Sequence, residues 1–362
     1  MLITTIRNIL AIPERLNVRR SLAGRVFSLP AGEVAVNYGA VLDQGDLVAG
    51  GKVKLLHLRD RWAETAQFNV LYLVSSAPPP FAVELVKWAK SRGAKFVLNQ
   101  NGVGFPAWAG LRTWEVNRPL AQLLRLADHV VYQSHFCRES ADRWLGAVDC
   151  PSSVLINPVD AALFTPAPKP PPMDTWRLLA AGTHYQSFRV IGALETLRVL
   201  LDAGHRATLT VAGEMRWRDA DTEVKAAIER LRLAELVTLR PAFSQDEAVR
   251  LYQSAHVLLH LKYQDPCPTV AIEALACGLP IVASASGGMR EISGDDCGEL
   301  LDVECDDYRA NYPPPRFIAA AVARVMRDWP RRSTAARERA EAKFRKEDWV
   351  EAHAAIFEGL VR

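Results

Sequence analysis

Short, wholly apolar runs alternate with segments of helical period along most of the chain. Phe68 to Val74 (FNVLYLV) reads as a buried strand, and Phe81 to Arg92 sets Phe81, Leu85, Trp88 and Ala89 on one helical face before Gly93 stops it. Lys95 to Leu98 is the next strand, followed by a helix over Leu120 to Leu126, a strand over His129 to Tyr132 and a helix over Glu139 to Leu145. Val154 to Ile156 closes the series. Strands that take turns with helices predict a parallel, doubly wound α/β sheet.

The stretch Phe164-Thr-Pro-Ala-Pro-Lys-Pro-Pro-Pro-Met-Asp174 interrupts this pattern with prolines that forbid a helix and resist strand pairing. The same alternation then restarts. Strands are expected at Arg177 to Ala181, Ala207 to Ala212, Val237 to Leu239, Val257 to Leu261 and Pro280 to Ala283. Helices are expected at Val190 to Ala203, Glu223 to Leu233, Asp246 to Ala255 and Thr269 to Cys277. Two similar α/β halves imply a cleft between them. The organisation is an N-terminal domain over 1–166, a linker over 167–174, a second domain over 175–332 and C-terminal helices over 333–362. In the last segment Phe344, Trp349, Ile356 and Phe357 need a surface on which to bury, and both domains are candidates, the N-terminal one through packing back on it.

Composition narrows the classes. The 362 residues carry 44 Lys+Arg against 41 Asp+Glu, a net charge of +3, which argues against a dedicated nucleic-acid binder. No run of about 20 apolar residues spans a membrane and the N-terminus lacks a signal-peptide pattern, so a cytoplasmic protein is expected. Leu2, Ile6 and Ile9 at helical spacing, near Arg7, Arg15, Arg19 and Arg20, fit either an ordinary packed helix or one lying on the cytoplasmic membrane face. The six cysteines form no CxxC pair and read as reduced thiols.

Ligands of open α/β sheets bind beyond the C-terminal strand ends, where helices aim their first amides. The richest such loop is Lys262-Tyr-Gln-Asp-Pro-Cys-Pro-Thr-Val-Ala-Ile-Glu273. Pro268 and Thr269 start its helix, and Gly278 and Pro280 end it. Asp265 stands just outside this helix and Glu273 about one turn within it, so both carboxylates can face a ligand whose phosphates lie on the amides of Thr269 and Val270. The alternative is an acidic complement to the helix dipole and a buried glutamate paired with a cation.

The continuation, Glu273-Ala-Leu-Ala-Cys-Gly-Leu-Pro-Ile-Val-Ala-Ser-Ala-Ser-Gly-Gly-Met-Arg-Glu291, resembles the nucleotide-sugar glycosyltransferases of the GT-B fold, in particular retaining glycosyltransferase family 4. Tyr132-Gln-Ser-His-Phe-Cys137, Asn157-Pro-Val-Asp160, Phe164-Thr-Pro166 and Ala212-Gly213 extend the likeness. The resemblance implies two Rossmann-like domains facing each other across a cleft. Glu273 would hold donor ribose hydroxyls. Asp265, where the family usually has Glu, would contact the transferred sugar. Gly50 and Gly51, followed by Lys52, resemble the N-domain glycine loop that approaches donor phosphate or acceptor; a plain tight turn is the other reading.

Two positions depart from the family. Its Arg and Lys after the first strand of the second domain correspond here to Thr183, beside Gly182, and Arg189. Lys262 or Lys52 could compensate for the missing cation. Where many members carry a histidine, this chain has Asn99-Gln-Asn101-Gly102, amides that can orient a hydroxyl but not trade a proton. Phe243, after Leu239, lies where the base is expected, and Trp108 offers the acceptor an aromatic face. Asp219-Ala-Asp221 looks like a DxD metal motif but precedes a helix, where acidic residues are common. No HExxH, GxSxG or P-loop occurs, and no strict GxGxxG follows a strand.

The expectation is a glycosyltransferase that moves a sugar from a nucleotide diphosphate sugar, of UDP or GDP type, to a glycan, lipid-linked or small-molecule acceptor. It would be retaining and use no metal and no cofactor. Asp265, Glu273, Arg189 and Lys262 are the candidate catalytic groups. An inactive nucleotide- or sugar-binding partner of the same fold, or a GT-B epimerase or phosphorylase, stays open.

Overall fold

The computed structural model describes residues 32–39, 50–79 and 81–362, with the backbone alone for residues 50–52. The N-terminal segment with Leu2, Ile6 and Ile9 lies outside the described residues. Two parallel sheets carry the chain. The first runs β1 (Val36–Asn37), β2 (Val70–Val74), β3 (Lys95–Gln100), β4 (His129–Tyr132) and β5 (Ser152–Val154), side by side in that order. The central strands are buried apart from the exposed Lys95 that opens β3, as expected where helices cover both faces. These helices include Gly50–Arg59, Ala82–Lys90, Thr113–Leu124 and His135–Trp144.

The second sheet holds β6 (Trp176–Ala181), β7 (Ala207–Ala212), β8 (Val237–Arg240), β9 (Val257–His260), β10 (Ile281–Ser284) and β11 (Gly298–Leu301), in the order β11-β10-β9-β6-β7-β8. Its strands are also parallel. β6 pairs with β7 on one side and with β9 on the other, and the chain proceeds away from β6 in both directions. Loops leaving the C-terminal ends of β6 and β9 therefore part and leave a crevice between them, the place where doubly wound sheets bind ligands. Residues Gly182 and Thr183 leave β6, and Lys262 and Asp265 follow β9.

The proline run is not where the chain passes between the sheets. Val159 and Phe164 already belong to the core of the second unit, and the run itself lies on that unit, with Pro171 carbonyl against His256 Nε2 at 3.3 Å and Pro166 beside Gly278. The crossing falls earlier, at Asn157 to Asp160. There it meets a second crossing: Val159 N–H donates to the Phe344 carbonyl at 2.7 Å, and Lys346 N–H donates to the Val159 carbonyl at 3.1 Å. Before this point helix Trp329–Lys343 packs on helix Thr269–Ala276, whose last carbonyl, Ala276, accepts from Arg337 at 2.7 Å. After it, helix Lys346–Val361 returns to the first sheet. Trp349 and Phe357 bury with Tyr38, Leu58 and Tyr72 there.

Candidate active site

The loop between β9 and helix Thr269–Ala276 is clamped from one side. Gln264 takes a left-handed φ of 47°, and its N–H donates to Ser286 Oγ at 3.0 Å. Gly287 and Gly288 press against the same segment. A β-carbon at Gly287 would stand 2.4 Å from the Asp265 carbonyl oxygen, and one at Gly288 would stand 2.2 Å from that of Pro266. Only glycine lets the two backbones approach this closely. The pair therefore sets the position of Asp265.

Asp265 is buried, with Oδ1 3.1 Å from Lys262 Nζ and Oδ2 3.1 Å from His260 Nε2. Burial opposes its ionisation, but the Lys262 ammonium and the His260 hydrogen bond prevail and hold the carboxyl well below the usual carboxylate range. Burial lowers the pKa of His260, so its Nε2–H donates as a neutral ring, and Nδ1 is left without a protein partner. His184, after β6, is likewise buried and pushed down to about 3 by burial and the Arg189 charge. Arg189 is turned under its own loop. It donates to the carbonyls of Thr183 (2.5 Å) and Ala181 (3.3 Å), and its Nε has no partner. Gly182 brings the same loop onto Val270, its absent β-carbon 3.3 Å from Val270 Cγ2.

Thr269 and Val270, half-buried, open the helix after Pro268. Their N–H groups have no acceptor within a helix, at the N-terminal end of the helix that follows β9. One turn on, the Glu273 carboxylate accepts from Tyr252 OH at 2.8 Å and from Gln245 Nε2 at 3.2 Å. Burial raises its pKa to about 7 against these two bonds. No cation pairs with it among the described residues. Gln245 follows Ser244, which caps its helix through a reciprocal bond with Glu247, so the Phe243 loop is fixed beside Glu273. Phe243 itself packs against the core of the second unit.

The first unit meets this loop edge to edge. A β-carbon on Gly102 would lie 3.2 Å from Pro266 Cγ. Asn99 and Asn101, expected on the acceptor side, face inward instead: both are buried and accept from the Lys54 ammonium, at 2.7 and 3.0 Å. Their amide nitrogens donate to Tyr72 OH and Ser76 Oγ, so both side chains are engaged in the interior of the first unit. Gly50 and Gly51 begin helix Gly50–Arg59 and are not part of a free loop, because Leu55 and Leu58 bury at helical spacing behind them. The side chain of Lys52 lies outside the described residues. Trp108 is 50% exposed and lines, with Arg112, Val116, Tyr185 and Gln186, a groove on the rim that takes walls from both units. Asp219 carries a left-handed φ of 59° before its helix and pairs with Arg218 on the surface.

Four participants escaped the sequence reading. Tyr252 and His260 sit at positions that an expected helix and strand already covered, Gln245 lies one residue before the expected start of that helix, and no motif marks any of them. Lys54 belongs to a helix that the periodicity did not reveal.

Two facing parallel sheets, joined by a pair of crossings and opening onto a switch-point crevice, form the GT-B fold. Among solved structures the chain resembles HepE of Anabaena in complex with UDP-glucose, at 15% identity and a TM-score of 0.65, covering 86% of this chain and 82% of that one. It also resembles sucrose-phosphate synthase of Thermosynechococcus elongatus, at 19% identity and a TM-score of 0.62, covering 85% and 76%. Residues 167–340 match the model of the family described as glycosyl transferases group 1. A D-inositol 3-phosphate glycosyltransferase of Kineococcus radiotolerans is 26% identical over 250 residues, 63% of this chain. The match spans 55% of that relative's own length.

Proposed function

We propose that the protein is a retaining, metal-independent glycosyltransferase whose second unit binds a nucleotide diphosphate sugar and whose first unit offers the acceptor. The observation that carries this reading is the pairing of an ionised, buried Asp265 outside the open N-terminus of helix Thr269–Ala276 with Glu273 one turn inside it. The diphosphate would lie on the amides of Thr269 and Val270, where helix dipole and N–H groups stabilise the charge that grows as the glycosidic bond breaks. Glu273 would exchange Tyr252 and Gln245 for the ribose hydroxyls. Asp265, with no proton to give, would accept from hydroxyls of the transferred sugar. Lys262 would neutralise part of the departing diphosphate.

The named relatives and neighbours suggest the first assay. UDP-glucose and GDP-sugars would be offered with inositol 3-phosphate, simple glycans and lipid-linked sugars as acceptors, and release of the nucleoside diphosphate measured. Acceptor-dependent release that vanishes in Glu273→Ala supports the reading; nucleotide binding without turnover in any mixture rejects it. A second reading is favoured by Arg189, which is buried and donates from both terminal nitrogens to the carbonyls of Ala181 and Thr183. On that reading the chain binds a nucleotide sugar without transferring it.

A further inference from the structure

Lys54 is 2% exposed, and among the described residues no carboxylate lies within ion-pair distance of its ammonium. Its three protons face four amide oxygens: Asn99 Oδ1 at 2.7 Å, Asn101 Oδ1 at 3.0 Å, and Gln133 Oε1 and Asn157 Oδ1 at 3.1 Å. A buried cation solvated only by neutral dipoles costs stability, and such groups concentrate at functional sites.

The bond directions are determined by chemistry. The Trp349 carbonyl can only accept, so His353 Nδ1 carries the proton and Nε2 accepts from Tyr72 OH at 3.1 Å. Tyr72 in turn accepts from Asn99 Nδ2 at 2.9 Å, and Asn99 from Lys54. On the other side Asn157 accepts from Lys54 and donates through Nδ2 to the Cys267 carbonyl at 3.0 Å and to Thr269 Oγ1 at 3.5 Å. Every donor points away from the ammonium, which polarises both chains. Because the Thr269 oxygen accepts from Asn157, its own proton is free to point into the crevice.

We propose that Lys54 is a positioning residue for the donor diphosphate: its unpaired charge, passed through Asn157, orients the Thr269 hydroxyl as a donor and supplies the cation that Thr183 does not. This rests on the donor reading above. No carboxylate among the described residues compensates the charge, so a nucleotide anion at the helix N-terminus and the Lys54 charge favour one another.

Burial lowers the Lys54 pKa to about 8. The titratable groups that face it from the packed elements are neutral around that pH. Burial pushes the Cys137 thiol up to about 11 and raises Cys267 and Tyr72 further, while it pushes His353 down to about 3. Glu273 in the donor site titrates lower, at about 7, so a transition near pH 8 that is present in the wild type and absent in Lys54→Met belongs to Lys54.

The test measures UDP and GDP affinity by calorimetry between pH 7 and 9 in the wild type, Lys54→Met and Asn101→Asp. Asn101→Asp gives the ammonium a carboxylate and keeps the contact with Ser76, whose hydroxyl then donates. Wild-type affinity is expected to fall as pH rises through about 8. Lys54→Met should bind about tenfold more weakly at pH 7.5 with no such fall. Asn101→Asp should also bind more weakly while melting no lower than the wild type, a combination that a merely structural lysine does not produce. Nucleotide binding unchanged in strength and pH profile in both variants overturns this inference alone. Unchanged binding in Asn101→Asp does so even if Lys54→Met fails to fold. A wild type that binds neither nucleotide overturns the donor reading together with it.

Discussion

The Ser134 hydroxyl donates to the Pro266 carbonyl across the two units at 2.8 Å, while its oxygen accepts from Cys137 N–H at 3.0 Å and caps helix His135–Trp144. One side chain thus anchors a helix of the first unit and the Asp265 loop of the second. Gly288 completes the contact, its absent β-carbon 3.3 Å from the same Ser134 oxygen.

Gly288→Ala should therefore act on both stability and turnover. The added carbon meets the backbone of Pro266, which cannot rotate away, so the loop must move. A loss of about 2 kcal/mol is expected, read as a lowered melting temperature, along with loss of nucleotide-sugar turnover. Gly359→Ala is the control: nothing lies within 4 Å of the site a β-carbon would take, and this helical position should gain roughly 0.5–1 kcal/mol. Equal melting of the two variants would sink the argument.

Glu291 makes a second link. Its carboxylate accepts from His135 N–H at 2.8 Å and Phe136 N–H at 3.0 Å, at the positive end of a helix in the opposite unit. Glu291→Gln keeps the shape but loses the charge and one of the two acceptors, since an amide nitrogen cannot accept from a backbone N–H, and should cost about 1–2 kcal/mol in thermal or urea unfolding. The part of the cost that comes from the lost charge should shrink in high salt.

Glu273 predicts a pH dependence of stability. Its folded pKa, raised to about 7 by burial, lies above its ordinary value of 4.5. Between these two values the folded chain holds a proton that the unfolded chain has lost. This group therefore favours folding at low pH, and its contribution is lost as pH rises through about 7, by up to roughly 3 kcal/mol. Glu273→Gln should flatten that part of the stability profile, measured by denaturant unfolding from pH 4.5 to 8.

Asp265 behaves in the opposite sense, because its folded pKa is depressed. Its contribution is present above the ordinary aspartate range and is lost in acid. Asp265→Asn should lower transfer by about a hundredfold and leave UDP affinity within a few-fold. Asp265→Glu, with the longer side chain that relatives usually carry, should instead reorder preference among donor sugars. A donor panel that ranks the same in Asp265→Glu as in the wild type would remove the sugar-contact role.

The sheets were legible because parallel strands buried on both faces are uninterrupted apolar runs. Val70–Val74 and Val257–His260 appear in the chain much as they do in space. The helix expected over Leu120 to Leu126 spans Thr113–Leu124, beginning earlier and tolerating Pro119 in its interior. Helix Gly50–Arg59 was missed because Lys52 and Lys54 interrupt its apolar positions, and nothing in one sequence says that Lys54 points inward. Asn99 and Asn101 read as ligands for a sugar because amides commonly are; what they hold instead comes from a helix far away in the chain. Asp265 and Glu273 were found through their spacing about a helix start. The partners that set their charge states, His260 and Tyr252, come from neighbouring elements that only the fold brings together.

The paired crossings at Val159 and Arg345 constrain how the cleft can open. Two backbones bonded to each other at one point resist sliding and permit swinging, so the natural motion is rotation about an axis through Val159. Asn157, two residues from that axis, moves least, and so does the lysine it holds. The Glu291 and Ser134 contacts act as latches that a swing must release. Substrate entry would then disturb the latches before it disturbs the charge beneath the phosphates, which would remain in place through each cycle of opening and closing.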